Sequence, residues 1–244
     1  MAADPNTTAR PTRSRNPRGH GDRLRQEILA AASELAAAPG GGSELSLSRV
    51  ARHVGIAATS IYLHFPDIEH LKAALVAEGF AMLGQARAAA LAGLADPAAA
   101  LLARWRAMVH FGLEHPGHYR LMFGPALPTS LAFDAPESPG RQAFMAGVAA
   151  IAECQRAGAC RATDDPFRLT AMAWAAIHGL IILRLDRPNF PWPPLEDMAA
   201  DIIRRLVALA PQYQPDPQLT KPPLPAGSGR GGHQPRDGPG TGCA

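Results

Sequence analysis

The chain has 244 residues, of which 47% are hydrophobic and 18% are charged, and its formal net charge is +3. This composition is typical of a globular protein, and the small positive charge permits binding to nucleic acid without requiring it. The sequence has no run of 18 or more apolar residues, so we expect no membrane-spanning helix. Arg and Pro occupy the N-terminus where a signal peptide needs an apolar core, so we expect a cytoplasmic protein.

The residues that most often carry catalysis or bind metal have no suitable spacing. Cys154, Cys160 and Cys243 fit neither a disulfide framework nor a metal site, and we interpret the first two as incidental thiols rather than a redox pair. His115 and His118 are separated by Pro116, which interrupts the helix that an HExxH-type zinc site needs. We therefore expect no enzyme activity, no bound metal and no cofactor.

The two ends of the chain are predicted to be disordered. Residues 1–21 are rich in Pro, Thr and Arg, and 211–244 are rich in Pro and Gly, so neither segment can bury much apolar surface. We interpret the basic N-terminal arm as a source of weak, non-specific attraction to phosphate rather than as a segment that reads sequence in the minor groove, and the alternative is a solvated tail.

The first predicted helix runs from Asp22 to Ala38. Its apolar residues recur at helical spacing, and Asp22 is the expected N-cap. Pro39 and the three glycines after it end the helix.

The stretch from Leu45 to Phe65 contains two short helical patterns that Gly55 separates. Gly adopts the left-handed backbone that ends a helix, so the chain is expected to turn there. Ser46 or Ser48 can cap the first helix. Apolar stripes lie on both sides of the turn, at Leu47, Val50, Ala51 and Val54 and then at Ile61 and Phe65.

The opposite side of the second short helix carries small and hydroxyl residues. Ala57 and Ala58 let a backbone approach base edges, and Thr59 and Ser60 can hydrogen-bond bases or phosphate. The phenol of Tyr62 can reach a phosphate oxygen. These residues indicate a helix-turn-helix, while an ordinary helical hairpin explains this stretch alone equally well.

The run from Leu47 to Leu71, with its Tyr-x-His-Phe ending at Tyr62–Phe65, resembles the DNA-binding domain of TetR-family transcriptional regulators. The resemblance implies a homodimer that binds a palindromic operator and releases it when a ligand binds. One departure is Ile68, where the family often has a Lys that contacts phosphate, and Lys72 is the candidate replacement. The predicted DNA-binding residues are Ser46, Ser48, Ala57, Ala58, Thr59, Ser60, Tyr62, His64 and Lys72.

The remainder of the chain is predicted to be helical up to residue 210. Helices are expected from Ile68 to about Gly93, and then at 97–114, 116–123, 141–157, 166–185 and 194–209, with an irregular loop at 124–140. The helix at 166–185 is apolar on two sides, so it must be covered on both. The last helix has one apolar line, and we expect these two helices to form a four-helix dimer interface.

Trp174, His178 and Gly179 resemble the Trp-x-x-x-His-Gly signature of the WHG-type C-terminal domain found in a subset of TetR-like regulators, as does the segment from His115 to Phe123. Gly179 is expected to let a neighbouring helix come close. His178 is either a satisfied core residue or a hydrogen-bonding group for a ligand. The candidate ligand-binding residues are Trp105, Met108, Val109, Phe111, Tyr119, Met122, Phe144, Trp174 and His178.

The sequence therefore predicts an all-α protein with an N-terminal three-helix helix-turn-helix domain (22–68) and a larger helical ligand-binding and dimerisation domain (69–210). The expected partners are double-stranded DNA, an apolar or amphipathic effector and a second copy of the chain. The expected function is ligand-responsive transcriptional regulation, and the resemblance favours repression. The alternative is a helical small-molecule carrier or interaction protein with a degenerate helix-turn-helix, which the missing Lys at Ile68 supports.

Overall fold

The computed structural model describes residues 21–125, 127–135, 138–161, 163–210 and 212. The described residues form nine α-helices and one short 3₁₀ turn, Thr129–Leu131, which confirms the all-α prediction. The helices are α1 (Gly21–Ala36), α2 (Leu47–Val54), α3 (Ala58–Ile61), α4 (Ile68–Leu91), α5 (Pro97–Glu114), α6 (Pro116–Phe123), α7 (Pro139–Arg156), α8 (Pro166–Asp186) and α9 (Leu195–Leu206). Residues 1–20 and 213–244, which include nearly all of the predicted disordered ends, lie outside the described residues.

Local capping explains where most helices begin. The side chains of Ser46, Asp67, Asp96, Ser138 and Asp165 each accept a hydrogen bond from a backbone N–H in the first turn of α2, α4, α5, α7 and α8. The prediction of Asp22 as an N-cap was wrong, because α1 begins at Gly21 and Asp22 lies within its first turn. At this position its carboxylate lies near the positive end of the helix dipole, which stabilises the helix.

The last helix ends three residues before its predicted end. The residues that follow α9 pair with the α7–α8 connection instead, through a bridge between Cys160 and Leu209. The N–H of Ala210 donates to the carbonyl of Ala159 at 2.9 Å. These longer-range hydrogen bonds compete with helical ones, and helical periodicity alone does not reveal them.

Helices α1, α2 and α3 pack together around Ile28, Val50, Ile61 and Phe65, which are all buried. We call this N-terminal unit, residues 21–67, the head. Helix α1 also packs against α4 and α6, so the head and the rest of the chain share one continuous core.

Helix α5 is the centre of the larger C-terminal part, which we call the body. It packs against α4, α6, α7, α8 and α9, and α8 also packs against α7 and α9. By length and composition alone, α8 is apolar enough to cross a membrane. Its contacts with three other helices are those of a core helix, and its remaining apolar surface faces outward.

Candidate DNA-binding head and effector cavity

The turn between α2 and α3 has the geometry that the sequence predicts. Gly55 ends α2 in the left-handed region at φ 78°, and its N–H donates to the carbonyl of Ala51 at 2.9 Å. Helix α3 is shorter than predicted, because Tyr62–His64 form a turn. The N–H of His64 donates to the carbonyl of Ile61 at 3.0 Å, three residues back, so the segment is one helical turn followed by a tighter one.

The predicted outward side of α3 is open to solvent. Ala57, Ala58 and Thr59 are exposed, Tyr62 is 57% exposed, and Ser60 is half-buried. We call these five residues the recognition surface. The buried side of the same segment holds Ile61 and Phe65 in the core, so burial fixes which side faces outward.

The other predicted DNA-binding residues differ in their solvent exposure and in whether their side chains already have a hydrogen-bond partner. The hydroxyl of Ser46 caps α2 by accepting from the N–H of Arg49 at 3.3 Å, whereas Ser48 is exposed. His64 is half-buried. The side chain of Lys72 is only 12% exposed, and its Nζ donates to Glu69 Oε1 at 3.2 Å. Replacement of the missing phosphate contact by Lys72 stays a prediction.

The body contains a cavity of about 360 Å³, within the range of about 300–1,000 Å³ that is usual for ligand sites. Five of the nine residues predicted to bind a ligand line it: Trp105, Met108, Met122, Phe144 and Trp174. Phe80, Phe123, Phe133 and Phe167, which the sequence reasoning did not select, bring the number of lining aromatic side chains to seven. These rings come from α4, α5, α6, α7, α8 and the connection between α6 and α7.

The other four predicted ligand residues lie beside the cavity rather than in its wall. Val109 and Phe111 are buried on other sides of α5. The hydroxyl of Tyr119 lies 3.1 Å from Nδ1 of His178, within hydrogen-bonding distance, and the two rings stack with centroids 5.6 Å apart. Burial lowers the pKa of His178 and raises the pKa of Tyr119, so both groups are neutral at pH 7. This pairing favours the core interpretation of His178, and its contact with a ligand stays a prediction.

Two arginines that the sequence reasoning missed also line the cavity. Arg87 lies on the same stripe of α4 as Phe80 and Leu83, and Arg104 lies beside Trp105 on α5. Burial, together with the nearby charge of Arg104, lowers the pKa of Arg87 to about 9. Burial also lowers the pKa of Arg104. The available signal in the sequence was a charged residue inside the apolar stripe of a predicted helix.

Helix α6 separates the cavity from the head and contacts both. Met122 and Phe123 line the cavity. On its other side, Nδ1 of His118 lies 2.9 Å from Ser33 Oγ of α1. Arg120 donates through Nε to the carbonyl of Ala37 at 2.9 Å and pairs with Asp186.

His110 and His118, which lie near Glu114 in the sequence, contact different carboxylates in the fold. His110 pairs with Glu196 at 2.9 Å, whereas His118 contacts Glu78 at 3.2 Å. Among the described residues, no group of three or more His, Cys, Asp or Glu side chains is arranged to hold a metal ion. Cys154 is buried and its thiol donates to the carbonyl of Pro97, and burial raises its pKa to about 12.

Comparison with known proteins agrees with this geometry. Residues 28–75 match the profile described as "Bacterial regulatory proteins, tetR family", which covers most of the head. Residues 101–210 match the profile described as "Tetracyclin repressor-like, C-terminal domain", which covers α5 to α9 and contains Trp174, His178 and Gly179.

Solved structures share the fold over most of their length. A protein of unknown function from Rhodococcus sp. RHA1 has 26% sequence identity and a TM-score of 0.62, with 80% of this chain and 100% of that chain covered. A TetR-family transcription regulator from Marinobacter aquaeolei VT8 has 20% identity and a TM-score of 0.61, with 78% and 98% covered. The fatty acid degradation regulator FadR from Bacillus halodurans has 14% identity and a TM-score of 0.61, with 79% and 97% covered. The chain belongs to the TetR family of bacterial transcription regulators.

Proposed function

We propose that this protein is a ligand-responsive transcriptional repressor of the cytoplasm. A homodimer binds a palindromic operator through two copies of the recognition surface. A small amphipathic effector enters the cavity and releases the dimer from DNA. The family and the fold support regulation by DNA binding, and the described contacts support the way in which the effector acts.

The recognition surface supports insertion into the major groove. Its two alanines, Ala57 and Ala58, allow close approach of the backbone to the bases and can contact the methyl group of thymine. Thr59 and Ser60 supply hydroxyls, and the exposed phenol of Tyr62 can donate to a phosphate oxygen.

The observation that carries the proposal is the position of α6 between cavity and head. An effector that displaces Met122 or Phe123 pushes on a helix that also touches α1 through His118 and Arg120. The effector therefore favours positions of the head in which α6 can shift away from the cavity without a steric clash. If these positions fit the operator poorly, the population shifts away from the DNA-bound state.

Dimerisation is proposed to use the outward face of α8. Met172, Ala175, Gly179 and Leu183 lie on one stripe, with Met172 44% and Leu183 52% exposed. Among the described residues, a Cβ built on Gly179 meets no atom within 4 Å, so the close approach expected there is left to a partner subunit. Met198 and Ile202 of α9 are half-buried, and together the two helices can form a four-helix interface with a second copy.

The dimer is tested by sedimentation velocity on the full chain. Leu183→Glu places a charge in the proposed interface, so this variant should sediment as a monomer at micromolar concentration where the wild type is a dimer. Leu94→Glu is the matched control, because Leu94 is 42% exposed and lies between α4 and α5. Equal dimerisation of both variants would contradict the assignment of this face.

DNA binding is tested by fluorescence anisotropy with a duplex that contains this gene's own upstream region. Tyr62→Phe should weaken binding to all sequences by about 1 kcal/mol, the contribution of one hydrogen bond. Thr59→Ala should instead change the preference among operator variants. Thr129→Ala, an exposed threonine in the body, should leave affinity and preference unchanged. If neither head variant differs from this control, the recognition surface is wrongly assigned.

A carrier with a degenerate head remains the second candidate. It is supported by Ile68 at the start of α4 and by the pairing of Lys72 with Glu69, which together leave this end of the head with less free positive charge. Failure of the wild type to bind the duplex at low salt would favour the carrier, because phosphate attraction is strongest there.

A further inference from the structure

The cavity wall holds positive charge that has no counter-ion. The salt bridges among the described residues include neither Arg87 nor Arg104, and the residues that line the cavity contain no Asp or Glu. Arg104 donates to the backbone carbonyl of Ala143 at 3.3 Å, and Arg87 donates to the sulfur of Met108 at 3.7 Å. Both acceptors are uncharged, so the two guanidinium groups are not neutralised.

The unpartnered polar atoms in the cavity wall are hydrogen-bond donors. Arg87 Nε and Trp105 Nε1 are buried and have no hydrogen-bond partner among the described residues. The two lining hydroxyls are already engaged, because Thr170 donates to the carbonyl of Pro166 at 2.8 Å and Ser138 to that of Leu131 at 3.3 Å. The wall thus offers donors and positive charge to a ligand, while most of its remaining surface is apolar.

Such an arrangement is costly unless a ligand supplies the missing partners. Arg is rarely buried without a partner, and a buried donor without an acceptor loses the hydrogen bonds that it makes with water. Buried unsatisfied groups in native proteins call for a functional explanation, and a ligand that supplies the missing acceptor is one. A carboxylate fits this need, since it only accepts hydrogen bonds and matches the planar fork of a guanidinium.

We propose that the effector is an amphipathic organic acid whose carboxylate binds Arg87, Arg104 and the indole N–H of Trp105, and whose hydrocarbon body packs against the aromatic wall. This inference rests on the proposed effector-responsive function and specifies the chemical class of the effector. The cavity of about 360 Å³ corresponds to roughly a dozen water volumes, which suits an acid with one ring or a medium-length chain.

The test is direct binding to the full-length protein without DNA, by isothermal titration calorimetry and by the fluorescence of Trp105 and Trp174. The probes are 4-phenylbutyrate with its neutral amide and its amine counterpart 4-phenylbutylamine, and decanoate with 1-decanol. At least one acid should bind about tenfold or more tightly than its uncharged counterpart, and the amine should not bind. The two acids distinguish an aromatic body from an aliphatic one.

The variants Arg87→Met and Arg104→Met should each weaken binding of the acid by about tenfold or more and remove the preference over the neutral counterpart. Arg106→Met is the matched control, because Arg106 lies on α5, is exposed, and stands 3.9 Å from Glu196 outside the cavity. It should bind the acid as the wild type does. An acid preference that survives in both cavity variants would overturn the proposal, as would equal binding of acids and neutral compounds or no binding of either acid.

Thermal unfolding without ligand separates a binding role from a structural one. If Arg87 serves to bind a ligand, Arg87→Met should melt at the same temperature as the wild type or higher, since it removes a half-buried charge that has no counter-ion among the described residues. It should also lose the rise in Tm of about 5–10 °C that saturating acid gives the wild type. A lower Tm without ligand, with the acid-induced rise unchanged, would make Arg87 a structural residue and overturn the proposal. Because no DNA is present, these results do not depend on operator binding.

Discussion

Gly117 lies in the first turn of α6 at the point where this helix meets the head. A Cβ built on Gly117 would lie 1.9 Å from the carbonyl oxygen of Ser33 and 2.8 Å from its hydroxyl oxygen. The contact involves backbone atoms of α1, which cannot move aside as a flexible side chain can. Gly117→Ala should therefore force α6 and α1 apart by roughly 1 Å.

The cost of this separation has two parts. Overpacking of a close contact typically costs about 1–3 kcal/mol. The hydrogen bond between Ser33 and His118, which spans the same contact, should also weaken and cost about 1 kcal/mol. We expect the free energy of unfolding to fall by about 2–4 kcal/mol, and the Tm to fall by about 5–15 °C in a domain of this size.

The assay is thermal unfolding followed by circular dichroism at one fixed protein concentration. The matched control is Gly84→Ala on α4, where an added Cβ would meet no atom within 4 Å and the residue is exposed. That substitution should be neutral or should stabilise by about 0.5–1 kcal/mol, because Ala favours the helix. A Gly117→Ala variant with the same Tm as the Gly84→Ala variant would refute the close packing of α6 on the head.

Three further predictions concern single groups. Gly55→Ala should destabilise the protein by about 1 kcal/mol in a chemical denaturation series, because Gly55 has φ 78°, and Gly55→Asn should cost less because Asn tolerates this conformation better. In a Cys243→Ser variant at pH 8, Cys154 and Cys160 should react with a thiol reagent only after unfolding, since burial raises the pKa of both thiols; rapid reaction of the native protein would contradict this. Burial lowers the pKa of His178 below its ordinary 6.5, so the unfolded chain binds more protons and stability should fall as the pH decreases below about 6.5. The stability advantage of the wild type over His178→Gln should shrink over that pH range, and a constant difference would count against a half-buried, neutral imidazole.

The sequence could predict the helices because helical hydrogen bonds join residues four apart, so their signals are local. The caps at Asp67 and Asp96 and the stop at Gly55 lie within a few residues of the helix ends that they set. The predicted burial of Ile61 and Phe65 also followed from local periodicity. The end of α9 was wrongly placed because its competing hydrogen bonds come from residues near Cys160, far away along the chain.

The cavity depends on contacts between distant segments, and its composition was predicted only in part. Met122 and Trp174 were expected in its wall, and both lie in the segments that resemble the WHG-type domain. Phe133 comes from the irregular connection at 124–140, which has no helical periodicity, so no apolar stripe selected this residue as part of a wall. The sequence favoured a core role for His178 over contact with a ligand, and its partner Tyr119, 59 residues away, became evident only in the fold.

The sequence by itself determined the helices, the turn at Gly55 and the outward side of α3, because each follows from neighbours within one or two helical turns. Only the tertiary structure decided that α6 touches both the head and the cavity, and that Arg87 and Arg104 face the cavity without a carboxylate. Whether a buried charge is neutralised depends on every helix that packs around it. The set of helices around a charge is a property of the folded chain, and the residue spacing within one segment does not reveal it.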